Sequence, residues 1–173
     1  MMAIRALPTW YGEICFRSKL EASWAKYLDS IGVKWIYEPQ GYELSSGAWY
    51  LPDFYLPEAD VYLEVKGILD DESFQKGSCF ARDIRKPVHF ALPNGEMAVC
   101  YDDEDEGTYN WRRLKKCDYN IVRCRKCGQV FIWPTWALWF CTACGTYHDD
   151  NGLDWLDKDW RATTQIDVRR RGR

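Results

Sequence analysis

Two short cysteine pairs constrain the fold of this chain more than any other feature of its sequence. Cys124 and Cys127 are followed by Gly128, Cys141 and Cys144 are followed by a second glycine, and thirteen residues separate the pairs. Four thiolates match the tetrahedral coordination of Zn²⁺, and a glycine after each pair permits the tight turn of a knuckle. We therefore predict a four-cysteine zinc ribbon with structural zinc, because four sulfur ligands leave no open position for catalysis.

The segment between the two pairs, GQVFIWPTWALWF, predicts two short aromatic strands joined across Pro134. Such a small ribbon buries too little area to fold alone, so bound metal would supply the folding free energy. Reduced, unliganded thiols are the alternative interpretation, and Cys117 and His148 are close enough in sequence to be alternative ligands. Cys79 and Cys100 are interpreted as buried thiols.

The length of 173 residues suits one ordinary domain, or a domain of about 100 residues with a small module. A hydrophobic content of 47% and an aromatic content of 16% indicate folded protein. The sequence contains no apolar run of 18 residues and no signal-peptide pattern. We expect a soluble cytoplasmic protein without a membrane partner.

Charge is distributed unevenly along the chain. Residues 1–107 carry 10 Lys and Arg against 19 Asp and Glu, a net charge of −9, whereas residues 108–173 carry 13 against 7, a net charge of +6. An acidic half beside a basic half favours metal binding by one part and polyanion binding by the other. The run DDEDE at Asp102–Glu106 is interpreted as a solvated linker.

The periodicity of apolar residues predicts an α/β fold with a mixed sheet. A first helix is expected from Glu13 to Ile31, and Asp71 is the predicted N-cap of a second helix that runs to about Arg85. Three strand segments separate these helices, and a further strand, PVHFALP, follows the second. Near the end of the chain, Leu153–Trp160 is predicted to form one helix.

These patterns divide the chain into four predicted parts. Residues 1–100 form the α/β core, and 101–119 form an acidic and then basic linker. The zinc ribbon takes up 120–150, and 151–173 form a C-terminal extension with a basic tail.

Two acids and a lysine stand out in the stretch LPDFYLPEADVYLEVKG. Glu64 and Lys66 alternate with apolar residues on a strand and so lie on one face, about 7 Å apart, while Asp53 follows a proline upstream. Oxygen ligands suit Mg²⁺ (or Mn²⁺), and such a site at the rim of the sheet would hydrolyse a phosphodiester, with Lys66 holding or helping to deprotonate the attacking water. Glu21, at the border of the first helix's apolar stripe, would bind a second metal or a metal-bound water. The alternative is ordinary surface charge.

The Pro52-Asp53 and Glu64-Val65-Lys66 motifs resemble the signature of the PD-(D/E)XK nuclease superfamily, and FRSKLEASWAKYLDSIGVKWIYEP resembles the first helix and strand of its small, phage-type members. The resemblance covers roughly residues 15–93 and implies an αβββαβ restriction-endonuclease-like core. It implies that Asp53 and Glu64 bind catalytic Mg²⁺ with the carbonyl of Val65, that Lys66 serves the attacking water, and that Glu21 is the helical acid of many members. A phage protein would act in the bacterial host cytoplasm.

Basic residues interleaved with tryptophans around the cysteine pairs suggest a nucleic-acid partner. The candidate contacts are Lys76, Arg112, Arg113, Arg125 and Lys126. A charged, solvated helix face is the alternative interpretation of Lys76.

These observations favour a metal-dependent DNA endonuclease with a structural zinc ribbon. A non-catalytic nucleic-acid-binding or adaptor protein on a nuclease-like scaffold is a second hypothesis, and RNA is a third possibility for the substrate. Two cuts in a duplex would favour a homodimer or recruitment by a larger protein machine.

Overall fold

The structure is a computed structural model that describes residues 6–100, 112–114, 119–134, 140–141, 143–147, 152–156, 158 and 160–164. Helices in this part of the chain are too short or too polar to cross a membrane. The predicted linker run at 102–106, the alternative ligands Cys117 and His148, and the basic tail lie outside these residues.

A six-stranded mixed sheet forms the centre of the fold. Its strands, in spatial order, are β10 (Arg112–Leu114), β9 (Met97–Cys100), β8 (Val88–Ala91), β7 (Val61–Val65), β6 (Phe54–Leu56) and β3 (Ile36–Tyr37). Neighbouring strands are antiparallel except β7 and β8, which run parallel because helix α2 (Asp71–Ile84) crosses between them. The predicted α/β class and mixed sheet are confirmed.

The helices begin where side chains cap them. Helix α1 runs over Lys19–Ser30, and Ser18 caps it by accepting a hydrogen bond from the Glu21 amide. The predicted start at Glu13 was wrong: the preceding residues form a hairpin of β1 (Thr9–Tyr11) and β2 (Ile14–Phe16). Helix α2 is capped by Asp70, one residue before the predicted Asp71.

Both faces of the sheet are covered, which explains why β7 is buried along its whole length. Val61, Leu63 and Val65 pack in one apolar cluster with α1, whereas Tyr62 packs with Phe80 of α2 in a second cluster. The predicted alternation along β7 is therefore correct, but its polar face is enclosed by α2 rather than open to solvent. A hairpin of β4 (Tyr42–Glu43) and β5 (Trp49–Tyr50) adds to this second layer.

The described residues after Leu114 contain two smaller sheets. One has the order β12 (Val130–Pro134), β11 (Tyr119–Cys124) and β15 (Leu153–Trp155), and the other pairs β13 (Phe140–Cys141) with β14 (Thr146–Tyr147). The segment between the cysteine pairs contains β12 and the first residue of β13, and among the described residues these two strands pair with β11 and β14 rather than with each other.

The helix predicted over Leu153–Trp160 was also wrong. Residues 153–155 complete the ladder on β11, and a one-turn helix, α3 (Trp160–Thr163), begins only at the last residue of the predicted span. The backbone of β11 offers hydrogen bonds that an isolated helix of this length could not match. Tertiary pairing therefore determines the conformation here.

The second half of the chain packs directly onto the first. Ile121, Val130 and Trp160 belong to the same buried cluster as α1. Arg112–Leu114, predicted to lie in a linker, are instead the edge strand of the main sheet. The part of the chain around Cys124, Cys127, Cys141 and Cys144, here called the cysteine module, is thus joined to the α/β layer by a shared core.

Candidate functional site

The pairing of β6 with β7 places Asp53 opposite Glu64. The strands are antiparallel with Phe54 opposite Leu63, so the preceding and following residues meet at the same end of the sheet. Both side chains are buried: Asp53 is 4% exposed and Glu64 is 6% exposed. This enclosure argues against ordinary surface charge for the two acids.

Backbone amides connect the two carboxylates. Oδ2 of Asp53 accepts a hydrogen bond of 2.7 Å from the amide of Val65, and the Asp53 amide lies 3.4 Å from Oε2 of Glu64. Burial, followed by the nearby negative charge of Glu64, raises the pKa of Asp53 well above its ordinary value. The pair is therefore a place where negative charge is destabilised unless a cation is present.

Lys66 supplies one such cation. Its Nζ lies 2.8 Å from Oε1 of Glu64, just beyond the end of β7. Burial disfavours the charged form, but attraction to Glu64 prevails and raises the pKa of Lys66 above its ordinary value. Lys66 is thus a protonated donor at neutral pH.

Glu21 lies at the start of α1 and is 7% exposed. Its carboxylate accepts hydrogen bonds from the Tyr37 hydroxyl at 2.6 Å, the Ser18 hydroxyl at 2.7 Å and the Arg17 amide at 3.2 Å. Together with the Ser18 cap, these bonds form a reciprocal capping arrangement. Glu21 therefore stabilises the helix start besides contributing negative charge near Asp53, which raises the Asp53 pKa further.

Arg17 is the main residue that sequence reasoning missed. Its Nη2 forms an ion pair with Oδ1 of Asp53, and its Nε lies 2.9 Å from Glu38 and 3.9 Å from Glu21. Its position four residues before Glu21 is the sequence signal that could have drawn attention to it. Arg17 connects the three carboxylates on one side of the site, as Lys66 does for Glu64 on the other.

Glu38 and Tyr50 were missed as well. Glu38 adopts a left-handed conformation with φ of 45°, unusual for a residue before proline, and its amide donates to the Asp53 carbonyl at 2.8 Å. Tyr50 is buried against Phe80, and burial, then the charges of Glu64 and Asp53, raise its pKa well above the ordinary value. Tyr50 therefore lies close to both acids of the pair, whereas Glu38 contacts the backbone of Asp53.

The donor set fits a hard divalent cation in chemistry and charge. Among the described residues, the ion pairs of the site join four carboxylates, Glu21, Glu38, Asp53 and Glu64, to two cations. Two negative charges remain in excess when all four acids are ionised, and carboxylate oxygens are the ligands that Mg²⁺ prefers. Glu21, Asp53 and Glu64 do not close into a three-carboxylate cage, however, and Arg17 lies at Asp53 instead.

The four predicted zinc ligands converge. Within the described part of the chain, Cys124, Cys127, Cys141 and Cys144 form the group of three or more potential ligands whose atoms all lie within 4.8 Å of one another. The Sγ atoms of Cys124 and Cys144 are 3.9 Å apart, and those of Cys127 and Cys141 are 3.5 Å apart. A tetrahedral zinc site with Zn–S bonds of about 2.3 Å requires S–S distances of about 3.8 Å. The cysteines can therefore hold a metal ion such as zinc.

Two matching turns produce this geometry. Gly128 and Gly145 adopt φ of 79° and 68°, and their amides donate to the carbonyls of Cys124 and Cys141 at 2.8 Å in both turns. Glycine is the residue that adopts this left-handed conformation without strain. The prediction that each glycine follows its cysteine pair to form a tight turn is confirmed.

The candidate nucleic-acid contacts are placed less tightly. Lys76 is exposed on α2 and pairs with Glu72 at 3.0 Å, which fits the alternative interpretation of Lys76 as part of a charged, solvated helix face. Arg125 pairs with Asp154 at 2.6 Å, and Lys126 donates to the Thr146 hydroxyl at 2.8 Å beside the cysteines. Arg112 and Arg113 form β10, but the structure does not describe their side chains.

No protein-family model matches the chain, and no curated protein matches it.

Proposed function

We propose that this chain is a divalent-cation-dependent endonuclease that hydrolyses DNA phosphodiester bonds, with the αβββαβ core of the PD-(D/E)XK superfamily that its motifs resemble. One observation carries the proposal: two buried carboxylates, Asp53 and Glu64, face each other across adjacent strands, with Lys66 bound 2.8 Å from Glu64. The order α1, β3, β6, β7, α2, β8 supports that core when the separate hairpin of β4 and β5, which lies between β3 and β6, is left aside.

The charge of the site explains why a cation would bind there. Burying like-charged carboxylates side by side is unfavourable, and proteins relieve it by protonation or by a counter-ion. Asp53 and Glu64 would hold Mg²⁺ or Mn²⁺ together with the carbonyl of Val65. The bound ion would stabilise negative charge on the phosphate and lower the pKa of a water molecule.

Lys66 suits an orienting role in this reaction. Its Nζ lies 2.8 Å from Oε1 of Glu64, so it would be close enough to donate a hydrogen bond to the attacking water or to a phosphate oxygen. Its anchor, Glu64, fixes the ammonium group at the end of β7. Glu21 would act indirectly, because its oxygens already accept three hydrogen bonds at the start of α1.

The cysteine module would hold structural Zn²⁺. Four sulfur ligands saturate a tetrahedral ion, so no position is left for a substrate. The module would carry Arg125 and Lys126 on an exposed surface, where the weak pair with Asp154 can be exchanged for a phosphate contact.

One observation favours a non-catalytic scaffold as the second candidate. Arg17 already forms an ion pair with Asp53, so Asp53 does not need a metal ion as its counter-ion. Such a protein would bind nucleic acid or a partner protein through the cysteine module and would cleave nothing.

Cleavage and metal binding decide between the two candidates. We expect the protein to cut supercoiled or branched DNA in Mg²⁺ or Mn²⁺. We expect Asp53→Asn and Lys66→Ala to lose about 100-fold or more in rate, because the first weakens a ligand of the cation and the second removes the donor that orients the reacting oxygen. Asp60→Asn is the matched control, because Asp60 is an exposed acid that pairs with Lys86 outside the site. Equal rates in wild type and Asp53→Asn would refute the nuclease, and cleavage confined to RNA would change its substrate.

A further inference from the structure

Arg17 holds a position at the site that the proposed reaction does not explain. Its backbone amide is fixed by the Glu21 carboxylate at 3.2 Å and the Tyr37 hydroxyl at 3.3 Å. From that fixed point the guanidinium contacts Oδ1 of Asp53 through Nη2 and Oε1 of Glu38 through Nε, at 2.9 Å. The side chain therefore spans from the buried acid to a second acid at the surface.

The two ends of this bridge differ in exposure. The Asp53 side chain is 5% exposed, whereas the Arg17 side chain is 54% exposed and that of Glu38 is 32% exposed. Arg17 can consequently leave Asp53 by rotating its side chain, without unpacking the core. When Arg17 leaves Asp53, its Nε would remain paired with Glu38, since that contact does not involve Asp53.

A divalent cation and a guanidinium cannot share one carboxylate oxygen without strong repulsion between like charges. We propose that Arg17 is the resident counter-ion of Asp53, that the divalent cation must displace it, and that the displaced guanidinium, tethered by Glu38, then binds a phosphate of the substrate. This inference rests on the proposed function, because it takes Asp53 as a ligand of the cation.

The chemistry of arginine suits both positions. A guanidinium pairs with carboxylate and phosphate oxygens through the same planar fork of donors, so exchange of one for the other preserves its hydrogen bonds. Cation binding at Asp53 would thus release a charge that is paired with a buried acid and make it available to DNA. Affinity for DNA would then depend on the cation through Arg17.

The first measurement is cation affinity, without any cleavage. Calorimetry with Mn²⁺ should give a dissociation constant at least about tenfold lower for Arg17→Gln than for wild type, because the competitor is gone. Lys19→Gln is the matched control: it removes a positive charge from an exposed side chain two residues away and should leave the constant unchanged. Equal or weaker binding in Arg17→Gln would overturn the counter-ion role.

A second measurement uses the wild-type protein and so does not depend on the variant folding. The Arg17 Nε–H signal in ¹⁵N NMR should shift and exchange faster with water as Mg²⁺ is added, while the exposed Arg85 serves as the reference. An Arg17 signal that stays unchanged while Mg²⁺ binds would contradict displacement.

The third measurement tests the phosphate contact. With Ca²⁺ as the probe cation, a DNA duplex should bind Arg17→Gln at least about tenfold more weakly than wild type, whereas the two proteins should bind DNA alike in EDTA. Equal DNA affinity in Ca²⁺ would remove the phosphate role. Cleavage by wild type together with an unchanged cation affinity in Arg17→Gln would contradict this inference and leave the proposed function standing. Tighter cation binding by Arg17→Gln without any cleavage by wild type would contradict only the proposed function.

Discussion

The indole of Trp160 packs between the two halves of the protein, with its ring centroid 4.5 Å from that of Trp24 in α1. It also lies 5.2 Å from the ring of Tyr27, one turn further along the helix. Trp160 is only 6% exposed. The segment after the cysteine module therefore completes the core beneath the helix that carries Glu21.

Replacing this indole should destabilise the whole fold. Trp160→Ala is expected to lower the free energy of unfolding by about 3–5 kcal/mol, because it removes a large buried ring and leaves a cavity. Trp155→Ala is the matched control, since Trp155 is 47% exposed and should change stability by less than about 1 kcal/mol. Urea unfolding followed by circular dichroism measures both, and equal losses would show that Trp160 does not join the halves.

Loss of a metal ligand from the cysteine module should destabilise α1. Arg123 donates to the Gly32 carbonyl at 2.9 Å, and Lys158 donates to the Ser30 carbonyl, so two cations from the second half stabilise the C-terminal end of the helix. Cys141→Ser should lower the free energy of unfolding by about 3 kcal/mol or more and reduce amide protection in Lys19–Ser30.

Hydrogen exchange with mass spectrometry tests this expectation. Cys79→Ser is the control, because Cys79 lies on α2 beside Ser45 and takes no part in the cysteine cluster. If α1 keeps its protection after Cys141→Ser while the module loses its own, the two halves fold independently.

His89 should make stability depend on pH. It is 4% exposed in β8, and burial lowers its pKa to about 4 from the ordinary 6.5. The unfolded chain therefore binds a proton that the folded protein does not, so the contribution of His89 falls as pH drops from 6.5 to 4, by up to about 3 kcal/mol. Below that range the loss is complete and stays constant.

The variant His89→Leu isolates this effect. Urea titrations at pH 7, 5.5 and 4.5 should show that the free energy of unfolding of the variant rises relative to that of wild type at each step to lower pH. A difference that stays constant across these pH values would show that His89 is not held neutral.

Gly77 should resist replacement even though it lies inside α2. A Cβ on this residue would lie 2.3 Å from Cζ of Phe90, whose ring is fully buried. Gly77→Ala should therefore destabilise the protein by about 1–3 kcal/mol, although alanine is the better helix former. Adding Phe90→Leu should recover part of the loss in a double-mutant cycle, and a stabilising Gly77→Ala would show that the ring can move aside.

Local patterns predicted much of the central sheet. The alternation in Val61–Val65 places Glu64 on one face of a strand. Separate glycine, proline and aspartate residues around this strand mark the turns to its neighbours. Once β6 and β7 pair, Asp53 must lie opposite Glu64. The cysteine geometry likewise follows from two tight glycine turns.

Tertiary contacts determine the features that the sequence did not reveal. Arg17 looks like any surface arginine until folding brings it to Asp53 and Glu38. Residues 153–155 pair with β11, a strand about 30 positions earlier in the chain, and no local pattern predicts such a long-range pairing. Glu38 takes a left-handed conformation despite the following proline, and only its contacts to Asp53 and Arg17 show why.

The contact between Lys158 and Ser30 has a consequence for synthesis on the ribosome. The two residues are 128 positions apart, so the end of the first helix is made long before its capping lysine leaves the exit tunnel. Trp24 and Tyr27 are likewise synthesised long before Trp160, whose indole packs on their rings. Nascent chains should therefore expose this aromatic surface of the first helix until Trp160 has left the ribosome.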